Sequence, residues 1–156
     1  MSVAGPRYLT SPATTAARLP FSEAVRVGEL LFVSGQLGNR PGTLELVPGG
    51  IAAEARQTME NVRATLERHG ASLADVVKCT VFLADMAEWR EFNTVYLEYF
   101  APDRLPARSA LGASGLALGG RVELECVAWS PAPAGAAVGD GEGSASGARM
   151  SRQPYA

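Results

Sequence analysis

The segment from Val122 to Trp129 alternates residue by residue between two kinds of side chain, which is typical of a β-strand with two unlike faces. One face is apolar throughout and is suited to burial beneath helices: Val122, Leu124, Cys126 and Ala128. The other face mixes two carboxylates with two apolar side chains: Glu123, Glu125, Val127 and Trp129. This second face is too apolar for open solvent and too charged for an ordinary core, so it constrains how the sheet can be covered.

Two short β-rich runs lie near the start of the domain. They extend over Phe21–Val27 and Leu30–Gln36, and the Gly28-Glu29 pair between them predicts a tight hairpin. Residues 38–50 form a loop rich in Gly and Pro, in which we expect a brief strand at Leu44–Val47.

Two helices are predicted in the middle of the chain. The first extends from Ile51 to His69, and Gly70 ends it. Its apolar residues recur every three or four positions along one stripe: Ile51, Ala55, Met59, Val62 and Leu66. The second helix begins after Asp85, which can cap it, and extends to Phe100. Its candidate packing face is largely aromatic: Met86, Phe92, Tyr96, Tyr99 and Phe100.

These elements define a fold class. Val76–Leu83 is almost entirely apolar or β-branched, which predicts a strand inside the sheet, and residues 108–113 and 121–130 supply the last two strands. The order ββ(β)αβαββ predicts an α+β sandwich, a mixed β-sheet with two helices on one face. Because two helices cover only one face, we expect another copy of the chain to close the other, in a ring with sites at the subunit boundaries.

Composition divides the chain of 156 residues into three parts. Residues 1–19 are aperiodic and rich in Ala, Thr, Ser and Pro, so we expect a disordered or extended segment. Residues 20–131 form the folded domain. Residues 132–156 are rich in Gly, Ala and Ser and predict a flexible tail. The chain shows no secretory signal and no apolar run long enough to span a membrane, so a cytoplasmic location is expected.

Charge and metal-ligand types limit the partners. The net charge of -2 gives no field that would gather nucleic acid. Cys79 and Cys126 are the only cysteines, and they are expected to be small buried hydrophobes in a reducing compartment. Neither they nor His69 show the paired spacing of a metal site. His69 lies at a helix end, where an imidazolium can bond the terminal carbonyls.

The candidates for chemistry are Arg108, in the run LPARS, and Glu123, fifteen residues later. Burying either charge unpaired costs several kcal/mol, so each needs a partner or a function. Arg offers a planar fork that binds a carboxylate, and a partly desolvated Glu passes protons or orients a water. If the last two strands form a hairpin about Gly115-Leu116, Arg108 lies opposite Glu123. A structural ion pair between them is the alternative that remains open.

Other motifs in the sequence do not match the patterns of a serine nucleophile or of nucleotide binding. Ser34-Gly35-Gln36 ends the second strand, where a hydroxyl and amides can hold a carbonyl or a water. No G-x-S-x-G elbow surrounds Ser34, and the single His is at a helix end, so a serine nucleophile is not indicated. Gly49-Gly50 and Gly119-Gly120 match neither a phosphate-binding loop nor a dinucleotide fingerprint.

Five motifs together resemble the Rid family, the reactive-intermediate (enamine/imine) deaminases, also called YjgF-like proteins. In chain order they are LFVSGQLG, GGIAAEARQTMENV, DVVKCTVFLADM, EFNTVYLEYF and LPARS, the last followed fifteen residues past its Arg by Glu123. The resemblance covers residues 20–130 in order and with few gaps.

This resemblance implies a chorismate-mutase-like α+β fold, a homotrimer with sheets facing its centre, and three sites in clefts between subunits. Members of the family hydrolyse 2-aminoacrylate and its imine tautomers to 2-oxo acids and ammonia, without a metal or organic cofactor. By position, Arg108 would hold the substrate carboxylate and Glu123 would activate or position the attacking water. The rest of the pocket would be lined by Phe21, Ser34, Gly35, Asn93 and Ala110.

The chain departs from the family pattern at a few positions. Phe21 replaces a common Tyr, and Ala110 replaces a Cys that is common in bacterial enzymes. Residues 112–115 are smaller than usual, and residues 117–120 lack the customary Pro, which predicts a roomier or slower site. Two alternatives follow: a deaminase for a larger, pathway-specific enamine, or a non-catalytic trimer that binds small carboxylic metabolites or serves as a regulator.

Overall fold

Six strands form one mixed sheet in the computed structural model, which describes residues 5–131. They are β1 (Arg7–Leu9), β2 (Ala24–Val27), β3 (Leu30–Leu37), β4 (Val76–Leu83), β5 (Ala107–Gly112) and β6 (Val122–Trp129). Across the sheet they lie in the order β1-β2-β3-β6-β4-β5, and only β4 and β5 are parallel neighbours. With the helices described below, this sheet confirms the α+β class.

The described part of the chain has three α-helices: α1 (Pro12–Ala16), α2 (Gly50–Arg68) and α3 (Trp89–Tyr96). Short 3-10 turns lie at Leu73–Asp75, Met86–Glu88 and Ala117–Gly119. Within residues 5–131, no helix combines the length and apolar character that crossing a bilayer requires.

Helix α2 confirms the predicted amphipathic helix, with ends one residue from those expected. None of the five side chains in its apolar stripe is more than 3% exposed, and the helix packs across β3 and β6. Gly70, with φ of +76°, provides the left-handed residue that ends the helix. Truncating a stripe residue such as Met59 to Ala would cost about 2–5 kcal/mol of folding free energy.

Helix α3 is shorter than predicted. Asp85 is a cap, as expected, because its carboxylate accepts a hydrogen bond from the Ala87 N–H, but it caps a 3-10 turn that precedes the helix. The helix ends at Tyr96 rather than at Phe100. Beyond that point the backbone continues in tighter turns, in which the N–H of Tyr99 bonds the carbonyl three residues back.

The predicted hairpin between the last two strands is wrong. Strand β4 lies between β5 and β6, so Arg108 is opposite Cys79 while Glu123 is opposite Phe82. The physical reason is burial: β4 and β6 each carry a fully apolar face and take the interior places, whereas most residues of β5 are exposed and suit an edge. Helix α3 supplies the crossover that makes β5 parallel to β4.

The N-terminal segment also differs from expectation. Residues 7–9 form β1, which pairs with β2, and residues 12–16 form α1. Ser11 accepts a hydrogen bond from Thr14 N–H and Pro12 occupies the first turn, which is an ordinary helix start. Residues 7–9 and 12–16 therefore have regular structure, and residues 7–9 belong to the same sheet as β2. The predicted tail at residues 132–156 lies outside the described residues.

Three smaller expectations have mixed outcomes. The Leu44–Val47 strand is reduced to a single bridge between Asn39 and Leu46. The His69 ring bonds the Glu23 carboxylate at 2.9 Å and not the helix carbonyls, because Glu23 lies directly beside it. Cys79 and Cys126 are free and buried, as predicted.

The two faces of β6 differ as the sequence predicts. Its apolar set is at most 3% exposed, beneath the helices. On the opposite face Trp129 is 52% exposed, and Phe32, which lies across from Val127, is 42% exposed. We call this the outer face of the sheet. Among residues 5–131, no helix covers it.

Candidate active site

Arg108 lies on the edge strand β5 with its side chain on the helix side of the sheet. Its guanidinium carbon is 4.5 Å from the centre of the Tyr96 ring and 5.8 Å from that of Phe92, both on α3. Among residues 5–131, no carboxylate is within ion-pair distance of it and no acceptor bonds it. Because the guanidinium carbon lies over the two rings and not beside a carboxylate, its N–H groups stay available to a ligand.

Glu123 projects from β6 on the outer face, opposite to the side occupied by Arg108. A Cβ built on Gly35 would be only 2.0 Å from Glu123 Oε1, so the carboxylate lies directly on the Gly35 backbone. Burial, and secondly the neighbouring Glu125, raise the pKa of Glu123 above its ordinary value. No cation pairs with Glu123 among the described residues.

A bulge in β3 creates the space in which the Glu123 carboxylate lies against the Gly35 backbone. The pairing of β3 with β6 shifts register between Val33 and Gln36, which leaves Ser34 and Gly35 outside the regular ladder. Ser34 Oγ donates a hydrogen bond to the Ser22 carbonyl at 2.7 Å, and this bond anchors the residue beside Phe21. Its hydroxyl oxygen can still accept a hydrogen bond from a ligand or water.

Asn93 and Ala110 lie on the same side of the sheet as Arg108. Asn93 follows Phe92 on α3, and its Oδ1 is buried without a hydrogen-bond partner in the described part of the chain. Ala110 is two residues beyond Arg108 on β5 and packs against the core. We call Arg108, Asn93 and Ala110 the cation half-site.

Glu123, Gly35 and Ser34 form the second group, which we call the carboxylate half-site. Phe21 lies near it, because Phe21 and Gly35 both line a cleft of about 530 Å³ between α1, α2 and the loop after β3. Neither Arg108 nor Glu123 lines that cleft. One chain therefore gathers the predicted site residues into two separate groups and does not bring Arg108 to Glu123.

Sequence reasoning missed one feature of the site, the aromatic support of Arg108. Phe92 and Tyr96 are four residues apart on one helix face, and this spacing predicted packing but not a contact with the cation. The one other clue in the sequence to this contact is Arg108 itself, because an Arg in an edge strand is commonly held by an aromatic or an acidic neighbour.

Fold and site together describe an α+β domain that carries a cation and a carboxylate on opposite faces of one sheet, and neither has an ion-pair partner in the described part of the chain. The family model described as Endoribonuclease L-PSP matches residues 11–130. The chain belongs to this family, which is the YjgF/Rid family.

Relatives in this family have informative names. The 2-iminobutanoate/2-iminopropanoate deaminase of Bos taurus is 41% identical over 122 residues, covering 78% of this chain and 88% of the relative. A RutC family protein of Pyrococcus horikoshii is 43% identical over 110 residues, covering 70% and 86%.

Solved structures agree with the fold. RidA from an Antarctic Psychrobacter superposes with a TM-score of 0.71 at 37% identity, covering 79% of this chain and 98% of that one. A putative endoribonuclease of Thermotoga maritima superposes with a TM-score of 0.73 at 40% identity, covering 81% and 98%.

Proposed function

We propose that the protein is a cytoplasmic enamine/imine deaminase that hydrolyses 2-aminoacrylate and 2-iminopropanoate-type compounds to 2-oxo acids and ammonia, without a metal or organic cofactor. Two kinds of observation support this proposal. Relatives about 40% identical are named 2-iminobutanoate/2-iminopropanoate deaminases, and among the described residues neither Arg108 nor Glu123 has a partner of opposite charge.

We further propose that the working form is a homotrimer of chorismate-mutase-like subunits whose sheets face the centre. The outer face, on which Glu123 lies, also carries exposed Trp129 and Phe32, so association would bury apolar surface there. Packing against a neighbour would bring the carboxylate half-site of one subunit to the edge strand of another. Each of the three sites would then combine Arg108 of one chain with Glu123 of the next.

The chemistry follows from these two charges. The Arg108 fork would hold the substrate carboxylate, which fixes the imine carbon near the water. An enamine first takes a proton on carbon and gives one up from nitrogen, which makes it the imine. Glu123 would accept a proton from water as the water oxygen attacks the C=N carbon, and would pass it to the nitrogen, which gives a carbinolamine. It would then take the proton of the new hydroxyl group and pass that to the nitrogen as well, so that the C–N bond breaks, ammonia leaves and the carbonyl forms. Asn93, Ser34 and Gly35 would supply polar contacts, and Phe21 and Ala110 apolar ones.

The single observation that carries the proposal is that neither Arg108 nor Glu123 has an opposite charge beside it within residues 5–131. A structural ion pair, the other explanation of these residues, is absent from the described residues. The test is to supply 2-iminopropanoate, generated in place by an amino-acid oxidase, and to follow its loss and the release of ammonia. Turnover above the spontaneous rate is expected; a rate equal to the spontaneous one contradicts the proposal.

A non-catalytic carboxylate binder is the second candidate. It is favoured by Phe21 and Ala110, which place no hydroxyl or thiol in the site where many relatives have them. In that case pyruvate would raise the melting temperature of the protein, and no turnover would accompany it. A larger substrate is less favoured than the sequence predicts, because a Cβ on Gly112 would lie 3.1 Å from Met86 Cγ and the space beside Gly112 is already filled.

Nucleic acid is not a proposed substrate, although the family model carries an endoribonuclease description. The net charge is -2, and the outer face presents Glu123 and Glu125, so this face would repel a polyanion.

A further inference from the structure

We propose that Tyr96 is the positioning residue of Arg108: its ring holds the guanidinium by the face and leaves the N–H edges directed at the substrate carboxylate. This inference rests on the proposed function for its catalytic consequence. Its structural part, the stacking itself, can be tested without any substrate.

Tyr96 is a fixed support. Its side chain is buried, with 3% exposed, and its ring centre is 4.8 Å from that of Phe100 and 5.8 Å from that of Phe92. Arg108 lies closer to Tyr96 than to Phe92, at 4.5 Å against 5.8 Å. The nearer ring is therefore the main contact, and the other aromatic rings hold it in place.

An aromatic ring beside Arg108 differs from a carboxylate in that it leaves the N–H groups of the guanidinium free. A carboxylate beside Arg108 would occupy the two N–H groups that a substrate carboxylate needs. A ring contacts only the π-face of the guanidinium, so it restricts the rotamers of a long side chain without consuming a donor. Tyr96 thereby reduces the entropy that Arg108 would lose on binding a ligand.

The Tyr96 hydroxyl contributes little to this role. It is buried beside the Cys79 thiol, and it forms no hydrogen bond of normal geometry within the described residues. The ring, not the hydroxyl, is the functional part, so Phe should replace Tyr96 and a non-aromatic side chain of similar size should not.

The experiment compares Tyr96→Phe, Tyr96→Met and Tyr96→Leu with the wild-type chain. Tyr96→Leu and Tyr96→Met should raise KM for 2-iminopropanoate about three- to thirty-fold, with a smaller change in kcat. Tyr96→Phe should stay within about three-fold of the wild type. The matched control is Tyr99→Leu, since Tyr99 makes the same kind of contact with Arg63, at 5.4 Å, outside the site. That control should leave KM unchanged.

A second readout separates this inference from the proposed function. In the NMR spectrum of ¹⁵N-labelled protein, the Arg108 Nε–H signal, assigned by its loss in Arg108→Lys, should show an upfield ring-current shift in the wild type and in Tyr96→Phe. The shift should become smaller in Tyr96→Met, in which only the more distant Phe92 ring remains. If the wild type shows the shift but no turnover, the proposed function fails and the stacking stands.

Three results overturn the inference. The first is an unshifted Arg108 signal in the wild type. The second is a folded Tyr96→Met variant with wild-type KM. The third is a Tyr96→Phe variant as impaired as Tyr96→Met, since this would assign the role to the hydroxyl. Should Tyr96→Leu not fold, Tyr96→Met carries the comparison, because its unbranched, flexible side chain fills an irregular space more readily.

Discussion

The two half-sites hold their charges in opposite ways. Arg108 lies on the helix side of an edge strand, against aromatic rings that leave its hydrogen-bond donors free. Glu123 lies on the outer face of an interior strand, against the bare backbone of Gly35 and near a second carboxylate. The aromatic rings support the guanidinium of Arg108, whereas burial and Glu125 make the Glu123 carboxylate more basic. In neither place do the described residues supply a neighbour of opposite charge, which is how a binding site differs from a structural ion pair.

The largest effect should come from removing the cation. Arg108→Ala should lower kcat/KM for 2-iminopropanoate roughly 30- to 700-fold, because the substrate carboxylate loses the guanidinium that binds it. This factor corresponds to a loss of about 2–4 kcal/mol of transition-state binding. Steady-state kinetics measure this. Arg63→Ala is the matched control, because Arg63 also lies over a Tyr ring but away from both half-sites. An unchanged rate in Arg108→Ala would remove Arg108 from the site.

The next largest effect tests the contact between the Glu123 carboxylate and the Gly35 backbone. Gly35→Ala places a methyl group 2.0 Å from the present position of Glu123 Oε1, so the flexible carboxylate must move away. We expect kcat/KM to fall at least about tenfold while the melting temperature changes little, because no backbone atom is displaced. Gly115→Ala, where a Cβ meets nothing within 4 Å, is the control. Equal rates in the two variants would show that Glu123 does not need this position.

The smallest effect tests the electrostatics of the carboxylate half-site. Glu125 raises the pKa of Glu123, so Glu125→Gln should lower that pKa. If the ionised Glu123 accepts a proton from water, the acid limb of the pH profile of kcat/KM should then move to lower pH. The exposed Glu45→Gln is the control. If the acid limb stays in place or moves to higher pH, the ionisation that causes it belongs to a group other than Glu123.

The same shift has a consequence for stability. The pKa of Glu123 is higher in the folded chain than in the unfolded one, so its ionisation opposes folding. The contribution of Glu123 to stability should therefore fall as pH rises from its ordinary pKa through the raised one. Glu123→Gln should remove this dependence, which denaturant titration of the two chains across that window would measure. A parallel pH dependence in both chains would contradict the raised pKa.

The parts of the fold that sequence predicted are those that depend on periodicity. The stripe of α2 and the two faces of β6 follow from side-chain spacing alone, because one helix and one strand each bury a single face. The position of β5 did not follow. Its residues do not alternate clearly. Its pairing with β4 through a helical crossover is a long-range contact, and the sequence is equally compatible with a local hairpin between β5 and β6.

That error has a direct effect on the predicted site. A hairpin would put Arg108 and Glu123 side by side on one face, whereas the observed order puts them on opposite faces with β4 between the strands. The sequence placed Arg108 opposite Glu123, and the separation that the structure shows depends on topology. It is this separation that makes a second subunit necessary for the proposed chemistry.

The central claim is that one active site takes Arg108 from one chain and Glu123 from another. The direct measurement is to co-express Arg108→Ala and Glu123→Gln chains with different tags, purify the mixed oligomers and assay 2-iminopropanoate hydrolysis. In a trimer assembled at random, about a quarter of the sites receive both intact residues, so activity should return to about that fraction of the wild-type rate. Mixing Arg108→Ala with the double variant should restore none. Activity of the mixed oligomer no higher than that of either variant alone would contradict the claim.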